Sequence, residues 1–148
     1  MNRPGRRPIL VVTRGLDPVG TGRQVELAAE ALRSAGHDVA VAVTSGGGSV
    51  PSRLLRAGFP VHRLTRRPRA VALAAVELGL LARRLRAEAL VAFGRSQTAA
   101  AAAARLGLGG TRLVSVIDLI PRRTSERLGV TAADRLVVPD EAMARACA

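Results

Sequence analysis

The sequence predicts an α/β fold, a doubly wound parallel sheet of about six strands in the order 3-2-1-4-5-6, with helices on both faces. Short aliphatic runs alternate with amphipathic stretches at spacings of roughly 20–30 residues, as in successive strand–helix units. The first run, Ile9–Thr13, is continuously apolar, which is typical of a strand covered on both faces. The chain has 148 residues, 48% of them hydrophobic, which suffices for one domain with its own core.

The first half of the chain predicts three strands and two helices. After the first strand comes a glycine- and proline-containing loop, Gly15–Gly22, in which Thr21 is the expected N-cap of a helix that Gly36 ends. Glu26 is expected on the solvent side of that helix, because the apolar face consists of Val25, Ala28, Ala29, Leu32 and Ala35. The next predicted elements are strand Asp38–Thr44, helix Pro51–Ala57 and strand Pro60–Leu64.

The second half continues the alternation. A basic connection, Arg66–Arg69, leads into the longest predicted helix, Ala70–Glu88. Ser96 is the expected N-cap of the alanine-rich helix that runs through Leu106. The other predicted elements are strand Ala89–Phe93, strand Leu113–Ile117, helix Thr124–Leu128, strand Arg135–Val138 and a last helix after Asp140.

The composition excludes several classes of function. All 23 basic residues are arginines and the formal net charge is +12, so the surface should attract phosphates or an anionic membrane. No nucleic-acid partner is expected, since Trp and Tyr are absent and no nucleic-acid motif is present. One Cys and two distant His predict neither a disulfide nor a metal site. Because Glu77 interrupts the longest apolar stretch, we expect a cytoplasmic protein, with peripheral contact at the inner membrane face.

The predicted strand order places a crevice between strands one and four. In an open parallel sheet the order reverses there, and ligands bind above the carboxyl ends of the strands. Three loops should line this crevice, namely Gly15–Gly22, Gly94–Ser96 and Asp118–Arg122. Helix N-termini direct backbone N–H groups to the same place, which favours an anionic ligand.

The first loop partly matches two phosphate-binding patterns. Gly15 and Gly20 have Walker A spacing, but Thr21-Gly22 follows where that motif needs lysine, and the chain has no lysine. A dinucleotide fingerprint would start at Gly20 and Gly22 and then has Val25 in place of its third glycine. An NAD(P)-binding domain therefore stays open as an alternative, beside a plain glycine turn.

Three polar residues are candidate ligand contacts at this edge. Asp118 follows strand five, so its carboxylate should face the crevice, where it could bind hydroxyl groups or balance Arg95. The alternative for Asp118 is a cap of the turn before Pro121. Arg95 and Ser96 occupy a strand-to-helix turn on the same edge and are expected to contact the ligand.

Several segments together resemble the N-terminal domain of GT-B-fold glycosyltransferases of the family 4 type. The carriers are strand Ile9–Thr13, the loop ending Gly20-Thr-Gly-Arg-Gln-Val25, and Gly36-His-Asp-Val39. Further along, Ile117-Asp-Leu-Ile-Pro121 resembles the family's His-Asp-Leu-Ile-Pro segment, and Ala133–Met143 resembles its Ala-Asp, strand, Glu-Ala-Met stretch. The resemblance covers nearly the whole chain in order.

The resemblance implies that residues 1–148 form a Rossmann-like, acceptor-side N-terminal domain, with the C-terminal donor-binding domain absent from this chain. Such an enzyme transfers a sugar from a nucleotide-sugar donor to a sugar or lipid-linked acceptor, and no cofactor is implied. Gly20, Thr21 and Gly22 would line the cleft, and Asp118 is the expected catalytic residue. Ile117 stands where the family has a cleft histidine, and Gly22 stands where it often has glutamate.

Two functions follow from the resemblance, beside the NAD(P)-binding alternative given above. The first is half of a hexosyltransferase that is inactive without its second domain. The alternative is a non-catalytic module that uses the crevice to bind an anionic or glycosylated ligand.

Overall fold

The computed structural model describes residues 8–16, 21–44, 52–64 and 71–147. Six strands form one parallel sheet in the order β3-β2-β1-β4-β5-β6, which confirms the predicted order. The elements are β1 (Pro8–Thr13), α1 (Thr21–Ser34), β2 (Asp38–Val43), α2 (Ser52–Arg56), β3 (Val61–Arg63), α3 (Val71–Leu85), β4 (Ala89–Phe93), α4 (Arg95–Arg105), β5 (Arg112–Val116), α5 (Thr124–Thr131), β6 (Arg135–Val137) and α6 (Glu141–Cys147).

Helices cover both faces of the sheet, as the continuous apolar strands predict. Successive β1 side chains point to opposite faces and enter two separate cores. Leu10 packs in one core with Leu78 of α3, and that core also contains side chains of α4. Val11 packs in the other core with Val25 of α1, together with a side chain of α2. The central strands are thus shielded from water on both sides.

Three local predictions were wrong. Glu26 is buried, with 5% of its surface exposed, and its carboxylate lies 3.3 Å from the guanidinium of Arg23. Helix α3 ends at Leu85, before the predicted Glu88. The N-cap of α4 is Gly94 rather than Ser96, because the chain becomes helical as soon as β4 ends. The helical pattern of α1 predicts only the direction in which Glu26 points. Whether that side chain is exposed to solvent depends on the residues that pack against it from elsewhere in the fold.

Helices α4 and α5 pack unusually close together. A Cβ atom on Gly129 of α5 would lie 2.7 Å from the Cα of Ala99 in α4, so only glycine fits there. The small side chains of the α4 alanine run permit this approach. Next to Ala99 in α4, the buried hydroxyl of Thr98 lies 2.7 Å from the hydroxyl of Ser115 and connects α4 to β5.

Some predicted features lie outside the described residues, namely Gly20, the turn Ser45–Ser49 and the basic connection Arg66–Arg69. Across the ranges that are described, no helix has the length and apolarity needed to cross a membrane.

Candidate functional site

A cavity of about 410 Å³ opens at the carboxyl ends of the strands, beside the point where the strand order reverses. It lies between the first turns of α1 and the ends of β4, β5 and β6. Such crevices are the usual ligand sites of open parallel sheets. Its wall consists of Thr21, Gln24, Ala28, Phe93, Gly94, Val116, Ile117, Asp118, Val137, Val138 and Pro139.

The predicted site residues divide into two groups. Thr21 and Asp118 both lie in the cavity wall, one from α1 and the other from the segment after β5. Gly22 is buried within α1, and neither Arg95 nor Ser96 belongs to the wall. The remaining candidate, Gly20, falls outside the described residues. The fold therefore brings a residue with a hydroxyl and a residue with a carboxylate to one crevice, while Arg95 is not part of the wall.

Gly94 forms the floor of the crevice in a conformation that requires glycine. Its φ of 96° and ψ of 152° are essentially restricted to glycine, and a Cβ atom would lie 2.8 Å from Oε1 of Gln97. Because α4 starts directly after it, the first N–H groups of α4 lack helical partners at this edge. The Gly94 turn thus brings the N-terminus of α4 to the sheet edge beside the crevice, and Gly94 itself adds no side chain to the wall.

Gln97 connects the ends of three neighbouring strands. It is nearly buried, and its Nε2 donates a hydrogen bond to Oγ1 of Thr44 over 3.1 Å. Thr44, which follows β2, donates in turn to the carbonyl of Thr13 at the end of β1 over 3.3 Å. Sequence reasoning missed this relay, since nothing in the local pattern places Gln97 beside Thr44. The relay fixes the rim on the β1–β2 side of the crevice.

Arg95 fixes the opposite rim. Its Nη1 donates to the carbonyl of Ile120 over 2.9 Å, and its Nε lies 3.5 Å from Oε1 of the buried Glu126. The backbone N–H groups of Arg122 and Arg123 both donate to Oε2 of Glu126, over 2.9 and 3.1 Å. The expected pairing of Arg95 with Asp118 is replaced by this network, which holds the loop that carries Asp118.

The charge of Glu126 is stabilised inside this network. Burial of the carboxylate acts to raise its pKa, but the two backbone donors and the Arg95 guanidinium outweigh that effect. The pKa of Glu126 therefore lies below its ordinary value of 4.5. Glu126 stays ionised at neutral pH and holds the loop together.

The base of the same loop is anchored by Ile117. Its side chain is buried and packs with Val130 of α5 and Met143 of α6. Asp118, the next residue, is exposed, so its carboxylate is accessible to a ligand in the crevice. Within the described ranges, no group of three or more His, Cys, Asp or Glu side chains could hold a metal ion.

Comparisons with known proteins support the fold. No protein-family model matches the sequence, and no curated protein matches it. Among solved structures, MurG of Acinetobacter baumannii superimposes on 93% of this chain with a TM-score of 0.69 at 18% identity. The lipopolysaccharide outer core galactosyltransferase WaaB, in its apo form, superimposes on 94% of the chain with a TM-score of 0.72 at 9% identity.

The chain has the fold of one lobe of a GT-B glycosyltransferase. It spans 42% of the MurG chain and 41% of the WaaB chain, as a single GT-B-like lobe would. The similarity in fold agrees with the resemblance that the sequence motifs carry.

Proposed function

We propose that this GT-B-like lobe is the acceptor side of a glycosyltransferase that uses a nucleotide-sugar donor. The observation that carries the proposal is the fold match, which covers nearly all of this chain and about two-fifths of two glycosyltransferases. The site supports it, since the crevice opens at the carboxyl edge and its wall contains an accessible carboxylate. A second lobe would close the crevice and exclude water from the reacting groups.

In this proposal the residues of the wall have distinct roles. The Asp118 carboxylate accepts a hydrogen bond from the acceptor hydroxyl and acts as its general base. Thr21 offers a hydroxyl from the same wall. The N-terminus of α4, which begins directly after Gly94 of the wall, favours the negative charge of the donor phosphates. The network of Arg95 and Glu126 keeps Asp118 in position.

Calorimetric titration of the chain tests whether this lobe binds the acceptor and not the donor. Polyol phosphates and lipid-linked sugar phosphates are titrated as acceptor analogues, and nucleotide sugars as donors. The proposal expects the acceptor analogues to bind and the nucleotide sugars to bind weakly or not at all. Asp118→Asn should weaken acceptor binding several-fold, whereas Glu30→Gln, an exposed carboxylate on α1, should leave it unchanged. Tight donor binding by this chain alone would contradict the assignment.

The non-catalytic alternative is tested by adding the second lobe. The proposal expects the coding sequence downstream of Ala148 to encode a donor-binding lobe of βα units. With both lobes present, sugar transfer should occur and Asp118→Asn should lower kcat. If the two-lobe protein binds acceptor but transfers no sugar, the protein is a non-catalytic binding module and the proposed glycosyltransferase function is wrong.

We also propose that α3 contacts an anionic membrane, where a lipid-linked acceptor would lie. Three apolar side chains, Leu73, Val76 and Leu80, are exposed along α3 at 43%, 59% and 62%. They are spaced three and four residues apart and therefore lie on one side of the helix. The last turn of α3 is basic, and the chain carries a net charge of +12, so anionic headgroups would be attracted.

Vesicle sedimentation tests the membrane contact. Binding should rise with the fraction of phosphatidylglycerol, and Leu80→Ser should weaken it. Leu27→Ser, which changes an exposed leucine of α1 on the other face of the sheet, is the control and should have no effect. Binding that is independent of anionic lipid, or equal loss in both variants, would refute the proposal.

A further inference from the structure

A second cavity, of about 490 Å³, lies at the amino-terminal edge of the sheet, opposite the crevice. It shares no wall residue with the crevice. Its wall includes three arginines, Arg33, Arg84 and Arg86, together with His37. Asp38 is the carboxylate in this wall, and it already has an interaction of its own. The wall therefore has a surplus of positive charge.

Three helices end beside this cavity with the same hydrogen-bond pattern, and one of them has an unexpected residue. A residue just beyond each helix adopts a left-handed conformation, which normally selects glycine. Gly36 after α1 has a φ of 94° and Gly58 after α2 has a φ of 77°. After α3 the same place is occupied by Arg86, with a φ of 53°. Two backbone N–H groups donate to carbonyl oxygens of the last turn at each helix end. At α1, Gly36 donates to Arg33 and His37 to Leu32; at α2, Gly58 donates to Leu55 and Phe59 to Leu54. At α3, Arg86 donates to Arg83 and Ala87 to Ala82.

The presence of Arg86 at this place has an energetic cost. A left-handed conformation disfavours a side chain by about 1 kcal/mol relative to glycine. Among the described residues, Arg86 is the non-glycine residue with positive φ. Such outliers concentrate at functional sites, where the side chain is needed for another reason. Here the left-handed turn places Arg86 in the cavity wall.

Two of the three arginines in the wall are available to a ligand. Arg33 is held in place, because its Nη1 donates to the carbonyl of Ala57 over 2.6 Å and its guanidinium lies 3.9 Å from the ring centre of Phe59. Within the described ranges, the side chains of Arg84 and Arg86 form no hydrogen bond or ion pair. Nδ1 of His37 is buried and has no hydrogen-bond partner.

We propose that this cavity binds a small anion that carries a phosphate or diphosphate group. The planar guanidinium fork matches two phosphate oxygens at once, and two such groups, Arg84 and Arg86, have no protein acceptor. Each helix C-terminus contributes at most about half a negative charge, so the three arginines still slightly exceed the three helix ends and Asp38 taken together. The volume exceeds that of inorganic phosphate and fits the lower range of small-molecule sites.

The test uses pyrophosphate as the probe and calorimetric titration of the whole chain. Arg86→Gly is the decisive variant, since glycine relieves the left-handed strain while it removes the guanidinium. We expect Arg86→Gly to unfold at the same or a higher denaturant concentration and yet to bind pyrophosphate about tenfold more weakly, the usual effect of one charge-assisted hydrogen bond. Arg84→Gln should weaken binding similarly. Arg127→Gln and Arg145→Gln, exposed arginines of α5 and α6, are the controls and should bind as the parent does.

The location of binding is checked by amide chemical shifts. Pyrophosphate should shift the amides of His37, Gly58 and Ala87, which line the cavity. Unchanged affinity in Arg86→Gly, or shifts confined to Gly94 and Asp118 in the crevice, would overturn the proposal. A second arm replaces pyrophosphate with phosphatidylglycerol vesicles. If Arg86→Gly weakens binding to vesicles as well as to pyrophosphate, the phosphate source is a lipid headgroup, and if it weakens pyrophosphate binding alone, the ligand is soluble.

Discussion

Replacement of Gly129 by alanine should destabilise the protein, because this position sets the distance between α4 and α5. The new Cβ atom would lie 2.7 Å from the Cα and 2.8 Å from the backbone nitrogen of Ala99. Favourable carbon–carbon contacts need about 3.5–4.0 Å, so the two helices must separate by roughly 1 Å. Both neighbours are backbone atoms, and no side-chain rotation relieves the clash.

The expected magnitude follows from two opposing effects. Forced separation of packed elements costs about 1–3 kcal/mol or more. Alanine in place of a helical glycine returns about 0.5–1 kcal/mol. Gly129→Ala should therefore lower the free energy of unfolding by about 1 kcal/mol and at most about 2.5 kcal/mol, as the difference of these two effects.

Gly79→Ala is the matched control for this experiment. Gly79 lies within α3, and its new Cβ atom would meet the carbonyl oxygen of Ala104 at 3.6 Å, an ordinary contact. The helix-propensity gain should then dominate, and the free energy of unfolding should rise by up to about 1 kcal/mol. Urea denaturation followed by circular dichroism measures the free energy of unfolding of both variants. The dependence of this free energy on urea concentration should be the same in both variants and the parent. Equal stability of the two variants would refute the packing argument.

Three further substitutions test the elements around the crevice. Glu126→Gln should lower the free energy of unfolding at pH 7 by about 1–3 kcal/mol. Because folding lowers the pKa of Glu126, its charge stabilises the protein fully above about pH 4.5, and this stabilisation is lost as the pH falls through the folded pKa. Thermal melts should therefore depend less on acid pH in the variant than in the parent. Gly94→Ala should cost about 1–3 kcal/mol in urea unfolding through backbone strain, and no loss would contradict the assigned conformation. Thr98→Val should cost about 1–3 kcal/mol, because it leaves the Ser115 hydroxyl buried without its partner; Thr131→Val, an exposed site, should be nearly neutral.

The overall fold could be predicted from the sequence because it depends on repeated, local patterns. The apolar run of β1 indicated a strand between two layers, and the alternation of strands and helices then limited the order of the sheet. The rim of the crevice followed from that order, which is why Thr21 and Asp118 were placed correctly in its wall.

The details of the site depend on contacts between distant residues, which local patterns do not reveal. Arg95 meets Glu126, 31 positions later in the sequence, and Gln97 meets Thr44, 53 positions earlier. The prediction that Ser96 caps α4 followed the usual preference for serine. In the structure, the need for a glycine conformation at Gly94 decides where the helix begins. Likewise, the burial of Glu26 depends on what covers the flank of α1.

The most direct test of the proposed function is to map acceptor binding on the lobe by amide chemical shifts. A lipid-linked sugar phosphate analogue is titrated into the chain, first in the parent and then in Asp118→Asn. The proposal predicts shifts at Thr21, Gly94 and Asp118, with weaker binding in the variant. Shifts that bypass this rim, or an affinity that does not depend on the Asp118 carboxylate, would contradict it.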